Sequence, residues 1–263
     1  MSNTTSAFIA IVGKPNVGKS SIFNRLVGQK VAIVSDKPQT TRTKISGILT
    51  KGEMQLVFID TPGLHKPKNT LGEHMVKAVS DGMTDVDCCL LVVEADKKIT
   101  PAEIDLIDRF KKRKLNAVLA INKTDLLENK EELFEIIKNY TDLFDFSAVV
   151  PVSAKNNEGI DDIFSELSKF AVPSVHFFDD EAFTDQPERV ITAEIIREKL
   201  LRSLDKEIPH GIAVDIERFS ERQDADILDI DASIYCERQS HKGIVIGKGG
   251  KMLKKIGIRA RHD

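Results

Sequence analysis

The sequence predicts an α/β chain: a mainly parallel sheet with helices on both faces, followed by a smaller α+β domain. Three observations carry this reading. Short β-branched runs alternate with amphipathic stretches from residue 7 to about residue 170, the pattern of parallel strands joined by helical crossovers. A Gly-x-x-x-x-Gly-Lys-Ser loop separates the first apolar run from the first amphipathic stretch. Beyond residue 170 the alternation stops, and a helix, two alternating strands and a basic helix follow from about residue 188.

In chain order, strands are expected at 7–12, 44–50, 54–59, 88–93, 117–122 and 148–152, with helices at 19–27, 71–79, 102–112, 130–140 and 160–170. Most of the strand runs are continuously apolar, as strands buried on both faces must be. Lys51-Gly52-Glu53 joins two strands too closely for a crossover, so 44–59 is a hairpin with one antiparallel edge strand. Thr100-Pro-Ala-Glu opens a helix with proline in its first turn and an acid toward the dipole. The segment 171–187 holds two prolines, a Phe pair and several acids without a sustained period. It reads as a linker (173–187) between domains at 1–172 and 188–263. In the second domain Ile212, Val214 and Ile216 share one face of a strand, and Leu228, Ile230, Ala232 and Ile234 one face of the next.

Composition excludes several classes. With 263 residues, 41% hydrophobic and 30% charged, the chain has material for two packed cores and is neither disordered nor fibrous. No apolar run approaches the roughly 20 residues that span a bilayer. The first residues lack the basic region and the cleavage site of an export signal, so a cytoplasmic protein is expected. Cys88, Cys89 and Cys236 have neither framework nor metal-ligand spacing, and the first two read as core. The net charge of −3 hides an asymmetry: between Arg238 and His262 lie eight Lys or Arg and no acid, so the rest of the chain carries −11. A basic end on an acidic protein suggests a polyanion partner for that end.

Gly13, Lys14, Pro15, Asn16, Val17, Gly18, Lys19 and Ser20 form the phosphate-loop pattern. Small residues let successive backbone N–H groups surround phosphate oxygens, the helix dipole adds positive potential, Lys19 supplies a charge and Ser20 can ligate Mg²⁺. Ser21 follows in the same first turn. Asn122-Lys123-Thr124-Asp125, at a strand end, chooses the base. The Asp125 carboxylate accepts the N1–H and N2 amine of guanine, whereas adenine would present an acceptor to it. Asn122 can tie this loop to the phosphate loop, and the Lys123 stem can cover the base. Ser153, Ala154 and Lys155 close the next strand with N–H groups for the guanine O6. Asp60, Thr61, Pro62 and Gly63 end a strand beside the phosphate loop, where Asp60 can hold the Mg²⁺ shell and Gly63 sense the γ-phosphate. In the loop 35–42 a threonine, Thr41 in preference to Thr40, can close on Mg²⁺ when the γ-phosphate is present.

These motifs in this order, with Gln39-Thr-Thr-Arg42, Leu64 after Gly63, and Val245-Ile-Gly-Lys-Gly-Gly250 beyond the linker, resemble the bacterial Era-like GTPases. The resemblance spans nearly the whole chain. It implies a GTP hydrolase with slow intrinsic turnover, in which Lys19, Thr41, Asp60 and Gly63 carry catalysis, and Mg²⁺ held by Ser20, Thr41 and Asp60. It also implies a type II KH domain that binds the 3′ end of 16S rRNA during 30S maturation, in a monomer partly peripheral on the inner membrane. Leu64 cannot orient a water as the glutamine of Ras-like enzymes does; the related hydrophobic-substituted GTPases imply a K⁺ held by Asn16 instead. His65 reads as an exposed loop residue, not a base.

The Gly247, Lys248, Gly249, Gly250 turn fits the G-x-x-G loop along which a nucleic-acid backbone runs. Ile246, Lys251 and Lys254 complete the expected RNA-binding set. Ile244, Ile246, Leu253 and Ile256 are groove or core candidates, at least two of them core. The chain stops at Asp263 where the resemblance implies a further helix and strand, so the KH domain is expected to be incomplete. Three other readings compete: a GTPase of tRNA modification or large-subunit assembly, an RNA-binding chaperone with structural nucleotide, and a P-loop kinase or ATPase, which Asp125 opposes.

Overall fold

β1 (Thr5–Val12) runs through the centre of a seven-stranded sheet of order β2-β3-β1-β4-β5-β6, with the short β7 also on β1. The computed structural model describes residues 3–35, 45–61, 81–95, 98–204, 211–223, 225 and 227–263. Of the expected elements, the helix at 71–79 lies outside these residues. The described helices are α1 (Lys19–Val27), α2 (Pro101–Arg113), α3 (Lys130–Thr141), α4 (Ile160–Ser168), α5 (Glu188–Ser203), α6 (Gln239–Ile246) and α7 (Lys251–Ala260). The remaining strands are β2 (Ile45–Lys51), β3 (Met54–Asp60), β4 (Cys88–Glu94), β5 (Ala117–Asn122), β6 (Ala148–Pro151), β7 (Val172–Pro173), β8 (Ile212–Glu221) and β9 (Leu228–Cys236). The chain divides into two compact units, 1–32 with 41–185 and Ile33–Thr40 with Gln186–Asp263.

In the first unit β1 pairs in parallel with β3 and β4, β4 with β5, and β5 with β6. β2 is antiparallel to β3, turning at Gly52 (φ +60°). Because successive residues of a strand face opposite ways, each central strand feeds two cores. Ile9, Ile11, Cys88, Leu90 and Val92 pack with Ile22 and Phe23 of α1 and Ile163 of α4. Ala10, Val12, Cys89, Leu91 and Val93 pack with Leu106 and Phe110 of α2 and Tyr140 of α3. Cys88 and Cys89 are therefore core residues on opposite faces, and burial pushes both thiols up. Burying each of the large side chains stabilises by roughly 1.5–3 kcal/mol.

The parallel β3–β1–β4–β5–β6 order places the carboxyl ends of these strands side by side, and the phosphate loop, Asp60, Glu94, Asn122 and the 153–155 turn all sit at those ends. This is where open α/β sheets bind ligands.

Residues 172–185 form a strap on the first unit. β7 pairs antiparallel with β1 at Thr5 and Ser6. Gln55 is fully buried: its Oε1 accepts from the N–H groups of Phe177 and Phe178, and its Nε2 donates to Phe178 O at 2.9 Å. Thr184 Oγ1 donates to Ser46 O, and Ile48 N–H to Phe183 O. These bonds cover the edge strand β2, whose free backbone groups would otherwise offer a pairing template.

In the second unit β8 and β9 pair antiparallel, with a bulge at Glu217. Leu200 and Leu204 pack with Ile212, Val245 and Ile256, joined by Val214, Ile234 and Cys236. The expected inward face of β9 shrinks to its last residues. Leu228 and Ile230 pair with Glu221 and Phe219 beyond the bulge and are exposed, because the extra residue twists that end of the ribbon out of line with the core. Within the same unit, buried Glu198 accepts from Val34 N–H, and Arg202 Nε donates to Val34 O.

Candidate nucleotide site and glycine-rich RNA turn

The phosphate loop is shaped by backbone conformations that only small or polar residues tolerate. Gly13 has φ +146°, and a Cβ there would meet Val92 O at 2.3 Å. Gly18, at φ +99°, leads into α1, and a Cβ there would lie 2.1 Å from Asn122 Nδ2. Asn16 takes a left-handed φ of +66° at the exposed tip.

Lys19 begins α1 and is buried, its Nζ donating to Lys14 O at 2.7 Å. Burial lowers its pKa to about 8, with the Asp60 carboxylate pulling the other way. An anion beside this ammonium would restore the charge that burial disfavours. Lys14 Nζ reaches Glu103 Oε1 at 3.2 Å. Glu103 is buried, and its Oε2 accepts from both Thr100 N–H and Thr100 Oγ1, completing a capping box at α2.

Asp60 and Thr61 stand together at the end of β3. Ser20 Oγ donates to Asp60 Oδ2 at 3.0 Å, and Thr61 Oγ1 to Ile11 O. A hydroxyl and a carboxylate oxygen in contact beside the phosphate loop are the hard donors Mg²⁺ prefers when it is also bound to phosphate, so these residues fit that ion. Thr40, Thr41, Pro62, Gly63, Leu64 and His65 lie outside the described residues.

The base side is organised by Asn122, which is 2% exposed. Its Nδ2 donates to Val17 O at 2.8 Å and its Oδ1 accepts from Ala154 N–H at 3.1 Å. One amide thus joins the phosphate loop to the 153–155 turn across more than a hundred residues of sequence. Asp125 Oδ1 accepts from Ser153 Oγ at 2.7 Å, and Lys155 Nζ stands 3.7 Å from Oδ2. The Ser153 hydrogen bond first, and Lys155 further, hold the Asp125 carboxyl below the usual carboxylate range. The group stays ionised and an acceptor only. Lys123, at φ +65°, extends to Glu94 with Nζ–Oε1 2.7 Å.

Sequence reasoning assigned Ser153 a backbone role and did not see its hydroxyl aligning Asp125. It also missed Glu94, and it read Glu103 only as the acid opening α2, without its pairing with Lys14. Both were visible as acids where the pattern calls for burial: Glu94 closes an apolar strand, and Glu103 sits at the third position of a capped helix.

The glycine-rich turn between α6 and α7 needs its glycines. Gly247, Gly249 and Gly250 have φ of +71°, +59° and +75°, and a Cβ on Gly247 would meet Met252 Cβ at 2.7 Å. Lys248, Lys251 and Lys254 are exposed around it. Of the four groove or core candidates Ile256 alone is core; Ile244, Ile246 and Leu253 are exposed, which corrects the expectation of at least two. The α6 core position is Val245, because one residue of shift on a helix turns a side chain by about 100°. Among the described residues no cluster of three or more His, Cys, Asp or Glu could hold a metal, and no helix is long and apolar enough to cross a membrane.

Residues 8–123 match a family model described as 50S ribosome-binding GTPase, and residues 207–263 one described as KH domain. The GTPase Era of Clostridioides difficile is 50% identical over 98% of this chain and 87% of its own length. That of Ruminiclostridium cellulolyticum is 48% identical over 98% and 86%. Among solved structures, Era in complex with MgGDPNP and nucleotides 1506–1542 of 16S ribosomal RNA is similar at a TM-score of 0.93 and 33% identity, over 98% of this chain and 88% of that one. An Aquifex aeolicus Era variant bound to GDP and AlF₄⁻ is similar with the same figures.

Proposed function

The chain belongs to the Era GTPase family, and from that premise we propose a GTP-controlled switch that binds the 3′ end of 16S rRNA and acts in maturation of the 30S subunit. The chain is a GTP hydrolase. Asp125, kept anionic by Ser153, pairs with the N1–H and N2 amine of guanine. Residues 13–18 turn N–H groups toward the phosphates, Lys19 neutralises their charge, and Ser20 and Asp60, with Thr41, hold Mg²⁺. That ion supplies charge for the leaving phosphates. Gly63 senses the γ-phosphate, and Asn16, on the exposed tip of the loop, holds a K⁺ where other GTPases receive an arginine. In the second unit, the 247–250 turn lets an RNA backbone approach closely. Lys251 and Lys254 meet its phosphates, and Ile246 lies beside the bases.

The observation that carries this reading is the pair of Asn122 hydrogen bonds. They join the phosphate-binding and base-reading loops into one site, in a chain that also bears the glycine turn. The test is GTP hydrolysis in K⁺ and in Na⁺ buffer, with and without a short single-stranded RNA copying the 16S 3′ end. We expect slow turnover, faster in K⁺ and stimulated by that RNA. Turnover indifferent to the RNA would overturn the coupling of the two units, and equal rates in both salts would remove the K⁺.

A further inference from the structure

Glu94 is the last residue of an otherwise apolar strand, is 8% exposed, and pairs in register with Asn122 of β5. A carboxylate drawn this far from water is held only if its charge is answered. The answer is Lys123, whose Nζ lies 2.7 Å from Glu94 Oε1. Lys123 also occupies a left-handed backbone conformation, which costs a non-glycine residue of this length free energy and persists where its surroundings impose it. Its neighbours are fixed by other bonds: Ala95 N–H donates to Asn122 O, Asn122 holds Val17 and Ala154, and Asp125 is aligned by Ser153. Those bonds set the backbone of the loop. They leave open the direction of a long flexible side chain, and Glu94 sets that.

We propose that Glu94 is a positioning residue for guanine. It anchors the Lys123 ammonium so that the lysine's methylene stem lies fixed as an apolar cover over the face of the base whose edge Asp125 reads. The inference rests on the guanine reading of Lys123 and Asp125. Without the anchor, the lysine must be ordered each time a nucleotide binds, and the side-chain entropy lost in that step is withdrawn from affinity.

The test compares dissociation constants and release rates for GDP, GTP and GMP among the wild-type chain, Glu94→Gln, Lys123→Met and the double variant. Glu94→Gln is expected to weaken all three nucleotides by a common factor of about tenfold, mainly through faster release. The double variant should bind no worse than Lys123→Met, because the two side chains act as one unit. Glu94→Gln within twofold of wild type, while Lys123→Met weakens binding, would overturn the inference and leave the guanine reading intact. So would additive losses, or a loss seen with GDP and GTP but not GMP, which assigns Glu94 to the phosphates. Unchanged GDP binding by Lys123→Met, which keeps an apolar stem and removes the ammonium, would overturn the anchor, whereas unchanged binding by Lys123→Gly would sink the base-cover reading and this inference with it. Should Glu94→Gln fold poorly, Glu94→Asp keeps the charge but withdraws it by one methylene, and it is expected to fall between wild type and Lys123→Met.

Discussion

A single amide, Asn122, and a single missing side chain, at Gly18, fix the distance between the two halves of the nucleotide site. A Cβ on Gly18 would lie 2.1 Å from Asn122 Nδ2, so Gly18→Ala must displace the amide from Val17 O. The left-handed conformation at φ +99° adds strain. Together about 1–2 kcal/mol of strain and 1–3 kcal/mol for the displaced buried bond predict a loss of folding stability of about 2–5 kcal/mol, read by denaturant titration. At Asp125 the outcome is a change of kind. Asp125→Asn offers an N–H where the carboxylate accepted, matching the carbonyl that xanthine carries in place of the guanine amine. Preference should shift from GTP to XTP, and GTP selectivity left unchanged in a competition assay would refute the assignment of Asp125 to the base edge.

Among the elements, the strap 172–185 is the one whose local sequence says least about it. Its fixed points are side chains reaching from elsewhere: Gln55, Thr184 and the ring contact of Phe177 with Phe8. His176 closes it, with Nδ1 2.6 Å from Asp180 Oδ1 and Nε2 3.1 Å from Glu53 O. The Asp180 hydrogen bond first, and Glu53 O second, raise the His176 pKa above its ordinary value. The protonated form is therefore bound more tightly in the folded chain than in the unfolded one. Its contribution is fully present below the unfolded value of about 6.5 and is lost as pH rises through the raised folded value. Melting temperatures of wild type and His176→Gln should thus converge as pH rises from about 6 to 8. The difference will be small, because the pair is solvent-screened. A gap constant with pH would show that the ring acts by packing alone.

For the whole molecule, the uneven charge is the organising fact. The rest of the chain is acidic, while the end from Arg238 onward carries eight cations without an acid before Asp263. Lys248, Lys251 and Lys254 stand exposed at a turn whose other three residues are glycines. Replacing Lys251 and Lys254 together by Ala should weaken single-stranded RNA binding across sequences. It should also lower the slope of log affinity against log salt by about 1.4, at about 0.7 per phosphate contact on a single strand. An unchanged slope in filter-binding assays would move the phosphate contacts elsewhere.

Local order along the chain determined a good deal of this. Continuous apolar strands alternating with amphipathic helices require a covered parallel sheet, and the hairpin at Gly52 follows from a connection too short for a crossover. The phosphate loop, Asn122 to Asp125 and the 247–250 turn were legible because backbone geometry and hydrogen-bond complementarity demand particular residues at fixed local spacing. Tertiary structure decided what depends on partners far apart in sequence. Ser153 aligns Asp125, Glu94 holds Lys123, Glu103 meets Lys14, and Gln55 turns an aperiodic segment into a strap. It also decided which side of α6 and α7 is core, sending Val245 and Ile256 inward and leaving Ile244, Ile246 and Leu253 at the surface. The reason is common to all of them. A buried polar group must find a partner, and an amphipathic helix must turn one face inward, but only the packed chain brings the partner or the facing surface within reach.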